Sequence, residues 1–422
     1  MSRNIQLPPE IIELIFSFCD CATLKVLKSV DCDWRSLIET LIQKRCSRNI
    51  PDLDLLEYKY KFSKDGTKLE NICENWENWQ DIVNNIEFEN VSFIYEKKYI
   101  SCVAVFNDYV AVGLDTGAVH LYNQTEDLLK QFEALVQREP QSIKFVPGFL
   151  LSEEPFALLV EYTLVTCIHD FSQEYQSNVF DHQQVFTAYK SYICGVALDG
   201  TVTIAQIYKD EDENTKNQQI MLKILKLVKL QVLITNNIFA SLSSDKCMIL
   251  SDDKVFAINY KDENNNIEGI ATEIASLDFA MNSVPVLWRD ALIFYDKVII
   301  TNSQPRADTG QIFEVFLLEN AINGIVSSVK RFYLTEVFES LITCLYLYGS
   351  TLILGFANGE VLFYEVHDFQ SLDLKKYSKL ITMFTKLGRI LSIDVIESCG
   401  KREFYVAGPT FVRKITGKLR IK

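Results

Sequence analysis

The sequence predicts a multidomain protein: a small all-α region, then a helical linker, then a large all-β propeller with seven blades. Two observations predict this organisation. Before residue 86, apolar residues recur every three or four positions, which is the spacing of amphipathic helices. After residue 86, short segments rich in Val, Ile, Phe, Tyr and Leu alternate with turns of Asp, Asn, Gly and Ser, as strands do. The expected boundaries are 1–48, 49–85 and 86–422.

Composition and charge argue against several classes of protein. The chain has 422 residues, of which 48% are hydrophobic and 12% aromatic, as expected of a protein that folds around a core. Its net charge of −14 argues against binding to nucleic acid through bulk attraction to phosphates. No apolar run approaches the roughly 20 residues of a membrane-spanning helix. We therefore expect no nucleic-acid partner and no membrane association.

The 11 cysteines are scattered singly, without a CxxC pair, which is typical of buried thiols in a reducing compartment. Because Glu10 lies inside the apolar N-terminal segment, that segment does not resemble a signal peptide. We expect a cytoplasmic or nuclear location. The spacing of Cys19, Cys21, Cys32 and Cys46 fits no usual zinc pattern, so we expect neither a metal nor another cofactor.

The first helix is predicted over 5–18. Pro8 and Pro9 stand where it would begin, and proline in the first turn sacrifices no helical hydrogen bond. Its apolar face consists of Ile11, Leu14, Ile15 and Phe18. Two further helices are expected over 22–29 and from Asp33 onward. Three such short helices bury too little interior to be stable alone, so we expect them to dock on something else.

These residues resemble a known family. The run L-P-P-E-I-I-E-L-I-F-S-F, followed by L-K-V-L and by V-x-x-x-W, resembles the F-box. The resemblance implies a domain that binds a Skp-type adaptor and, through it, a cullin ubiquitin ligase. By position, it implies adaptor contacts from Leu7, Pro8, Glu10, Ile11, Ile15, Phe16, Leu24, Leu27, Val30 and Trp34.

The chain departs from the F-box pattern at two places. Asp31 and Cys32 stand where the family usually has a cysteine followed by a basic residue, and Cys19 replaces a common leucine. These changes would weaken adaptor binding without removing the apolar pattern. The alternative is that the same positions form only the core of an N-terminal helical cap on the rest of the protein.

The helical linker contains a pair of tryptophans. Trp76 and Trp79 are three residues apart and share one apolar helix face with Ile72, Ile82 and Val83. An exposed aromatic patch for a ligand is one interpretation. We favour the other, in which the two rings pack the linker onto the next domain.

The β region is built from repeats. Residues 100–122 align without a gap with residues 342–364, so that Cys102 matches Cys344 and Gly113 matches Gly355. Each copy is predicted to be a three-strand meander. The offset of 242 residues divides into five units of about 48, near the length of a propeller blade, and 86–422 then holds seven. We expect the strand at 88–95 to pair with the last blade, because a closed ring has no exposed sheet edge.

The clearest repeats, GAVHLYN and GEVLFYE, resemble WD repeats in which tyrosine replaces the usual tryptophan. The Gly-His and Trp-Asp dipeptides of that family are absent, so its His-Asp network is not expected. His120 is predicted to be an exposed or lumen-facing strand residue. No HExxH, GxSxG, GxxxxGK[ST] or GxGxxG motif is present, and we expect a non-catalytic protein.

Basic residues near predicted strand ends are candidates for recognition of an acidic or phosphorylated target, although scattered surface arginines are common. They are Arg138, Lys144, Arg289, Arg306 and Arg389. Together, the two resemblances predict a substrate-recognition subunit of an SCF-type ubiquitin ligase with an unidentified target protein. The competing prediction is a scaffold or trafficking propeller without a ligase link. A propeller hydrolase is disfavoured by the missing motifs.

Overall fold

The computed structural model describes residues 8–50, 53–61, 68–134, 137–147, 155–171, 176–210, 219–231, 238–261, 267–278, 288–294, 297–306, 310–382 and 388–420. Within these ranges the helices come first. They are α1 (Pro9–Ser17), α2 (Cys21–Val30), α3 (Cys32–Asn49), α4 (Leu53–Lys59), α5 (Lys68–Asn78) and α6 (Ile82–Asn85). None of the helices in these ranges is both long enough and apolar enough to span a membrane.

In the rest of the described chain, the regular structure is β-strand, as predicted, apart from three 3-10 turns at Leu318–Asn320, Leu334–Glu336 and Phe369–Ser371. The strands are β1 (Ile86–Tyr95), β2 (Ile100–Phe106), β3 (Tyr109–Leu114), β4 (Val119–Asn123), β5 (Leu128–Phe132), β6 (Ser142–Pro147), β7 (Pro155–Tyr162), β8 (Leu164–Asp170), β9 (Gln176–Tyr189), β10 (Tyr192–Ala197), β11 (Thr201–Asp210), β12 (Gln219–Lys229), β13 (Ile238–Leu242), β14 (Lys246–Ser251), β15 (Lys254–Asn259), β16 (Thr272–Asp278), β17 (Trp288–Phe294), β18 (Val298–Ser303), β19 (Ile312–Leu317), β20 (Ile325–Tyr333), β21 (Ile342–Tyr348), β22 (Thr351–Phe356), β23 (Glu360–Glu365), β24 (Lys379–Thr382), β25 (Ser392–Ser398), β26 (Lys401–Ala407) and β27 (Phe411–Leu419).

Within the described ranges, the strands form antiparallel meanders grouped in five sheets. Three sheets have four strands each, in the orders β1-β27-β26-β25, β2-β3-β4-β5 and β21-β22-β23-β24. A seven-stranded sheet runs β12-β11-β10-β9-β8-β7-β6, and an eight-stranded sheet runs β13-β14-β15-β16-β20-β19-β18-β17. In the eight-stranded sheet, a short parallel pairing of β16 with β20 joins two antiparallel halves. This succession of meanders is typical of a β-propeller.

The meanders close into a ring. Strands β25, β2 and β6 pack in succession, as do β9, β13, β17, β21 and β25, so these are the inner strands. The first strand of the ring pairs antiparallel with the last, with Phe88 opposite Gly417 and Tyr95 opposite Phe411. The predicted closure of the ring by the strand at 88–95 is therefore confirmed.

The internal repeat has the same geometry in both copies. Cys102 lies opposite Gly113 in the first copy, and Cys344 lies opposite Gly355 in the second. A Cβ atom on Gly113 would approach Cys102 Sγ to 2.8 Å, and one on Gly355 would approach Ile390 Cγ2 to 2.5 Å. Close packing against neighbouring side chains of the same protein therefore explains why both positions are glycine.

The helices and the ring share one core. Phe16, Leu24 and Ile72 from the helices belong to the same buried cluster as Phe404 and Ile415 from the ring. The three short N-terminal helices thus gain the interior that they lack by packing on α5 and, through it, on the ring. The expected docking of these helices therefore occurs within the chain itself, which is the packing that the alternative of an N-terminal helical cap describes.

Trp79 connects the helices to the ring. Its side chain has 0% exposure, and its ring centroid lies 5.9 Å from that of Phe88 and 5.7 Å from that of Phe404. Trp76 packs on the turn at Gly349, where a Cβ atom would lie 3.2 Å from the indole. The prediction that the tryptophan pair packs the linker onto the β domain is confirmed.

Candidate functional site

The first candidate surface lies on α1, whose two faces differ in burial. Pro8 precedes the helix and Pro9 occupies its first turn. Phe16 is 4% exposed, and Ile12 and Cys19 pack partly buried beside it. The opposite face carries Ile11, Leu14, Ile15 and Phe18, with exposures of 43%, 55%, 47% and 83%. Apolar side chains exposed at helical spacing are the usual mark of a helix that docks on a partner.

The second helix, α2, also exposes apolar side chains. Asp20 caps α2 by accepting a hydrogen bond from the Thr23 backbone N–H at 2.7 Å. Hydrogen bonds from Thr23 favour the charged form and lower the pKa of Asp20. Leu24 is fully buried, whereas Val26 and Val30 are 64% and 66% exposed. We call the six exposed apolar residues the helical docking surface: Ile11, Leu14, Ile15, Phe18, Val26 and Val30.

The predicted adaptor contacts divide into two groups. The exposed group consists of Pro8, Glu10, Ile11, Ile15 and Val30. The other group is buried or partly buried and consists of Phe16, Leu24, Leu27 and Trp34. In it, the Trp34 ring meets Phe16 edge-on with centroids 5.2 Å apart, so these residues support the surface from below. Leu7 lies outside the described residues.

Three exposed residues were not among the predicted contacts: Leu14, Phe18 and Val26. The spacing of Leu14 and Phe18 from Ile11 already placed them on the apolar face of α1. Val26 stands four residues before Val30, which is the same kind of signal on α2.

Helix α5 holds α2 and α3 through charge pairs. Acidic side chains of α5 face basic side chains of the other two helices, in the pairs Lys25–Glu74 at 2.5 Å, Arg45–Glu77 at 3.0 Å and Lys28–Glu70. All six side chains are at least partly buried, so solvent screens these pairs less than surface pairs. The helical docking surface is thereby presented on a fixed frame.

Cys21 of α2 and Cys73 of α5 form a disulfide. The expectation that the cysteines are all free thiols is wrong for this pair, because folding brings together two residues that are 52 positions apart. A Glu77 carboxylate oxygen lies within 4.8 Å of both sulfur atoms, but sulfurs bonded to each other are not thiolate ligands for a metal. Six other cysteines, among them Cys46 and Cys102, are buried and free, as predicted.

Helix α4 enters one mouth of the ring's central channel. The Tyr58 hydroxyl donates to the Phe145 carbonyl at 2.8 Å, and its ring lies 5.2 Å from Phe106 and 6.3 Å from Tyr189. These three partners belong to the inner strands β6, β2 and β9. Leu55 lines a cavity of about 230 Å³ together with residues of β13, β17 and β21. The linker is therefore not a simple spacer, because α4 contacts inner strands around the channel.

An ion pair anchors α4 in the channel. Lys59 Nζ lies 2.6 Å from Asp394 Oδ2 and donates to the Val105 carbonyl at 3.0 Å. The Tyr346 hydroxyl donates to the other oxygen of Asp394 at 2.8 Å. Burial opposes ionisation of Asp394, but the Lys59 ammonium outweighs it, and the pKa of Asp394 lies below its usual value. A charged carboxylate thus holds the helix in place.

A second buried ion pair lies where α5 meets the ring. Arg402 and Glu397 both have fully buried side chains, and Arg402 Nε lies 3.0 Å from Glu397 Oε1. Asn75 of α5 donates to the same oxygen at 2.9 Å, and the Tyr348 hydroxyl donates to the other at 2.7 Å. The guanidinium lies 4.4 Å from the centroid of Trp79. Residues of the helical region therefore complete the surroundings of a charge pair that belongs to the ring.

The helices cover the side of the ring where the inner strands end, and we call this side the helix face. The inner strands begin on the opposite side, which we call the far face. Strand direction places Arg138, Arg306 and Arg389 in connections on the far face. Arg138 and Arg389 are exposed, and Arg306 is partly buried. Lys144 is exposed on inner strand β6, close enough to Asp394 to help lower its pKa. Arg289 lies on β17, and its side chain is outside the described part of the structure.

His120 is neither exposed nor in the lumen, which corrects the prediction. It lies on β4, the third strand of its sheet, and its side chain is 14% exposed. Its Nδ1 lies 2.7 Å from Glu96 Oε1, and the Tyr122 hydroxyl bonds the same carboxylate. Burial opposes ionisation of Glu96, but these two hydrogen bonds prevail and lower its pKa. The cluster ties the connection before β2 to β4.

Comparison with known proteins bears on the fold alone. No protein-family model and no curated protein sequence matches the chain. Among solved structures, the chain is similar to Saccharomyces cerevisiae Sqt1, with a TM-score of 0.52 and 12% identity over 79% of this chain and 100% of that one. It also matches the computationally designed Ika8 protein, with a TM-score of 0.45 and 11% identity over 78% of this chain and 99% of that one. The chain thus has a mostly β, propeller-like fold preceded by helices.

Proposed function

We propose that this chain is the substrate-recognition subunit of an SCF-type ubiquitin ligase. The observation that carries the proposal is the helical docking surface, whose six apolar side chains are 43% to 83% exposed. They lie on helices whose other faces are buried, and three of them, Ile11, Ile15 and Val30, are positions of the F-box resemblance. Exposed apolar side chains of this kind are stabilised when a partner removes them from water. A Skp-type adaptor is the partner that the resemblance implies.

The proposed mechanism is proximity. The ring would hold a target protein while the helices bind the adaptor and, through it, the cullin. Transfer of ubiquitin to the bound target then becomes effectively intramolecular. The buried Lys59–Asp394 ion pair and the hydrogen bond from Asn75 to Glu397 fix the helices to the ring and support a constant distance between the two binding events.

We further infer that the ring has seven WD-like blades. Strand β9 serves two meanders, and the parallel pairing of β16 with β20 joins two others, so the five sheets resolve into seven four-stranded units. Because α4 and α5 cover the helix face, we place target recognition on the far face. Arg138 and Arg389 are its exposed basic residues among those predicted, and they suit an acidic or phosphorylated segment.

A second candidate function is a scaffold or trafficking propeller without a ligase link. The departures from the F-box pattern at Asp31 and Cys32 favour it. The two candidates differ in what the helical docking surface binds, so one experiment separates them.

The experiment is affinity purification under proteasome inhibition, with the wild-type chain, an Ile15→Asp variant and an Ile322→Asp variant. Ile322 is a matched control because it is 75% exposed and lies on the ring. We expect a Skp-type adaptor and a cullin with the wild type and with Ile322→Asp, and loss of both with Ile15→Asp. Adaptor retained by Ile15→Asp would contradict the proposed surface. No adaptor with the wild type would favour the scaffold.

A further inference from the structure

We propose that a cavity between the helices and the ring is a binding site for a small neutral aromatic amide. The cavity lies on the helix face, away from the helical docking surface and from the far face. The proposal is therefore independent of the ligase function.

The cavity is built from both parts of the protein. It has a volume of about 260 Å³, slightly below the roughly 300 Å³ at which pockets for drug-sized ligands begin. Its apolar walls come from α5 and from the ends of ring strands, and they are Trp76, Phe294, Val298, Leu317, Val366 and Phe369. The volume suits a molecule about as large as one amino-acid residue.

Two polar atoms in the cavity wall lack a hydrogen-bond partner within the described structure. Ser350 is only 3% exposed, and its Oγ is unsatisfied. Gln80 Nε2 is also buried and unsatisfied, while Gln80 Oε1 lies 2.7 Å from His367 Nδ1. Buried polar atoms are nearly always paired, and those that are not call for an explanation. A ligand with its own donor and acceptor would satisfy both.

The chemistry of the wall identifies the class of ligand. The Gln80 amide N–H requires a carbonyl acceptor, and the Ser350 hydroxyl accepts an N–H or donates to a carbonyl. A primary amide supplies both groups on one carbon atom. The indole of Trp76 and the ring of Phe294 favour an aromatic body.

The charged residues of the cavity argue for a neutral ligand. Lys297 is positive, whereas Glu319 and Asp368 are negative, and all three are exposed. Because both signs are present and solvated, neither an anion nor a cation gains a strong preference. A bound ligand would contact α5 and the ring together, and we expect it to raise the thermal midpoint of the protein.

The test is a titration of benzamide, followed by ligand-observed NMR, against the full-length wild type and two serine variants. Ser350→Ala removes the hydroxyl in the cavity. Ser251→Ala is the matched control, because Ser251 is also 3% exposed with an unpartnered hydroxyl but lies on β14, outside the cavity. We expect saturable binding to the wild type and to Ser251→Ala, and affinity lower by about 2- to 10-fold in Ser350→Ala, as for the loss of one hydrogen bond.

A third variant, Val366→Phe, fills the cavity and should abolish binding. Removing an unsatisfied hydroxyl does not weaken the folded state, so Ser350→Ala should keep the wild-type thermal midpoint. No saturable binding to the wild type up to the solubility of benzamide would overturn the proposal. Equal affinity in the wild type and Ser350→Ala would overturn it as well. Neither result would bear on adaptor capture, which tests the ligase proposal separately.

Discussion

Arg402 shows how a single residue couples the helices to the ring. Its guanidinium is fully buried, pairs with Glu397 and lies against Trp79. In a region of low dielectric, a charge that loses its partner costs far more than the pair contributes when intact. The sequence does not reveal this pair, because the run KRE at 401–403 resembles any charged turn. Only the strand pairing places Arg402 opposite Glu397, and this pair is buried.

We therefore expect Arg402→Met to destabilise the protein by about 3–5 kcal/mol, since it leaves the Glu397 carboxylate buried and unpaired. Urea unfolding at neutral pH measures the loss. Lys254→Met is the control, because Lys254 and Glu273 form a pair with side chains 40% and 44% exposed, which should contribute less than about 1 kcal/mol. Similar losses in both variants would contradict the structural role of Arg402.

Glu161 makes stability depend on pH. Burial raises its pKa from 4.5 to about 7, although the Ser142 hydroxyl and the Phe186 backbone N–H bond the carboxylate. Between these two pH values the folded state binds more protons than the unfolded state, so the contribution of Glu161 to stability is lost as the pH rises.

Glu161→Gln should remove this loss, because a neutral amide does not ionise. We expect the variant to gain stability relative to the wild type between pH 5 and pH 8, as measured by urea midpoints at both pH values. The same substitution at exposed Glu139 is the control and should give no such change. If the difference in stability between Glu161→Gln and the wild type were the same at pH 5 and at pH 8, the result would argue against a raised pKa of Glu161.

At the scale of elements, β1 and α4 show what could be predicted and what could not. The pairing of β1 with β27 was predictable, because a ring of meanders closes only if a strand from the start of the chain pairs with the last meander. The position of α4 in the channel was not, because its residues show only a short helical pattern. Its place depends on contacts from Tyr58 and Lys59 to strands that are far away in sequence.

Closure of the ring by β1 predicts that the β1 amides hydrogen-bonded to β27 are as well protected as those of the strands beside it. In amide hydrogen exchange, we expect residues of β1 paired with β27, such as Val91, to exchange as slowly as those of β26. Exchange of β1 at the rate of an open terminus would show that the ring does not close in this way.

Trp79 is the side chain through which the linker packs on the ring. We expect Trp79→Ala to cost about 3–5 kcal/mol, because it removes a fully buried indole that packs on Phe88 and Phe404. Val83→Ala is the control, since Val83 is nearby and 55% exposed, and it should cost less than about 0.5 kcal/mol. Urea unfolding measures both losses, and a loss for Trp79→Ala as small as that for Val83→Ala would indicate that the linker only tethers the helices.

At the scale of the whole molecule, the helices and the ring form one body with a shared core. The F-box resemblance predicted the apolar positions of the helical docking surface in part, but it could not tell Phe16 and Leu24, which are buried, from Ile15 and Val30, which are exposed. Which of these side chains are buried depends on where α3 and α5 pack. The pattern of apolar residues in the roughly 40 residues of the resemblance does not show that packing. The position of Arg138, Arg306 and Arg389 on the far face likewise follows from strand direction, which only the sheet topology supplies.

The most direct test of the central claim is a titration of the purified chain with a purified Skp-type adaptor, using wild type, Val30→Asp and Val83→Asp. Both valines are exposed helix residues, at 66% and 55%, but only Val30 belongs to the helical docking surface. A charge placed in an apolar interface should weaken binding at least tenfold for Val30→Asp and leave Val83→Asp like the wild type. Equal affinity of all three proteins, or no binding by the wild type, would contradict the account.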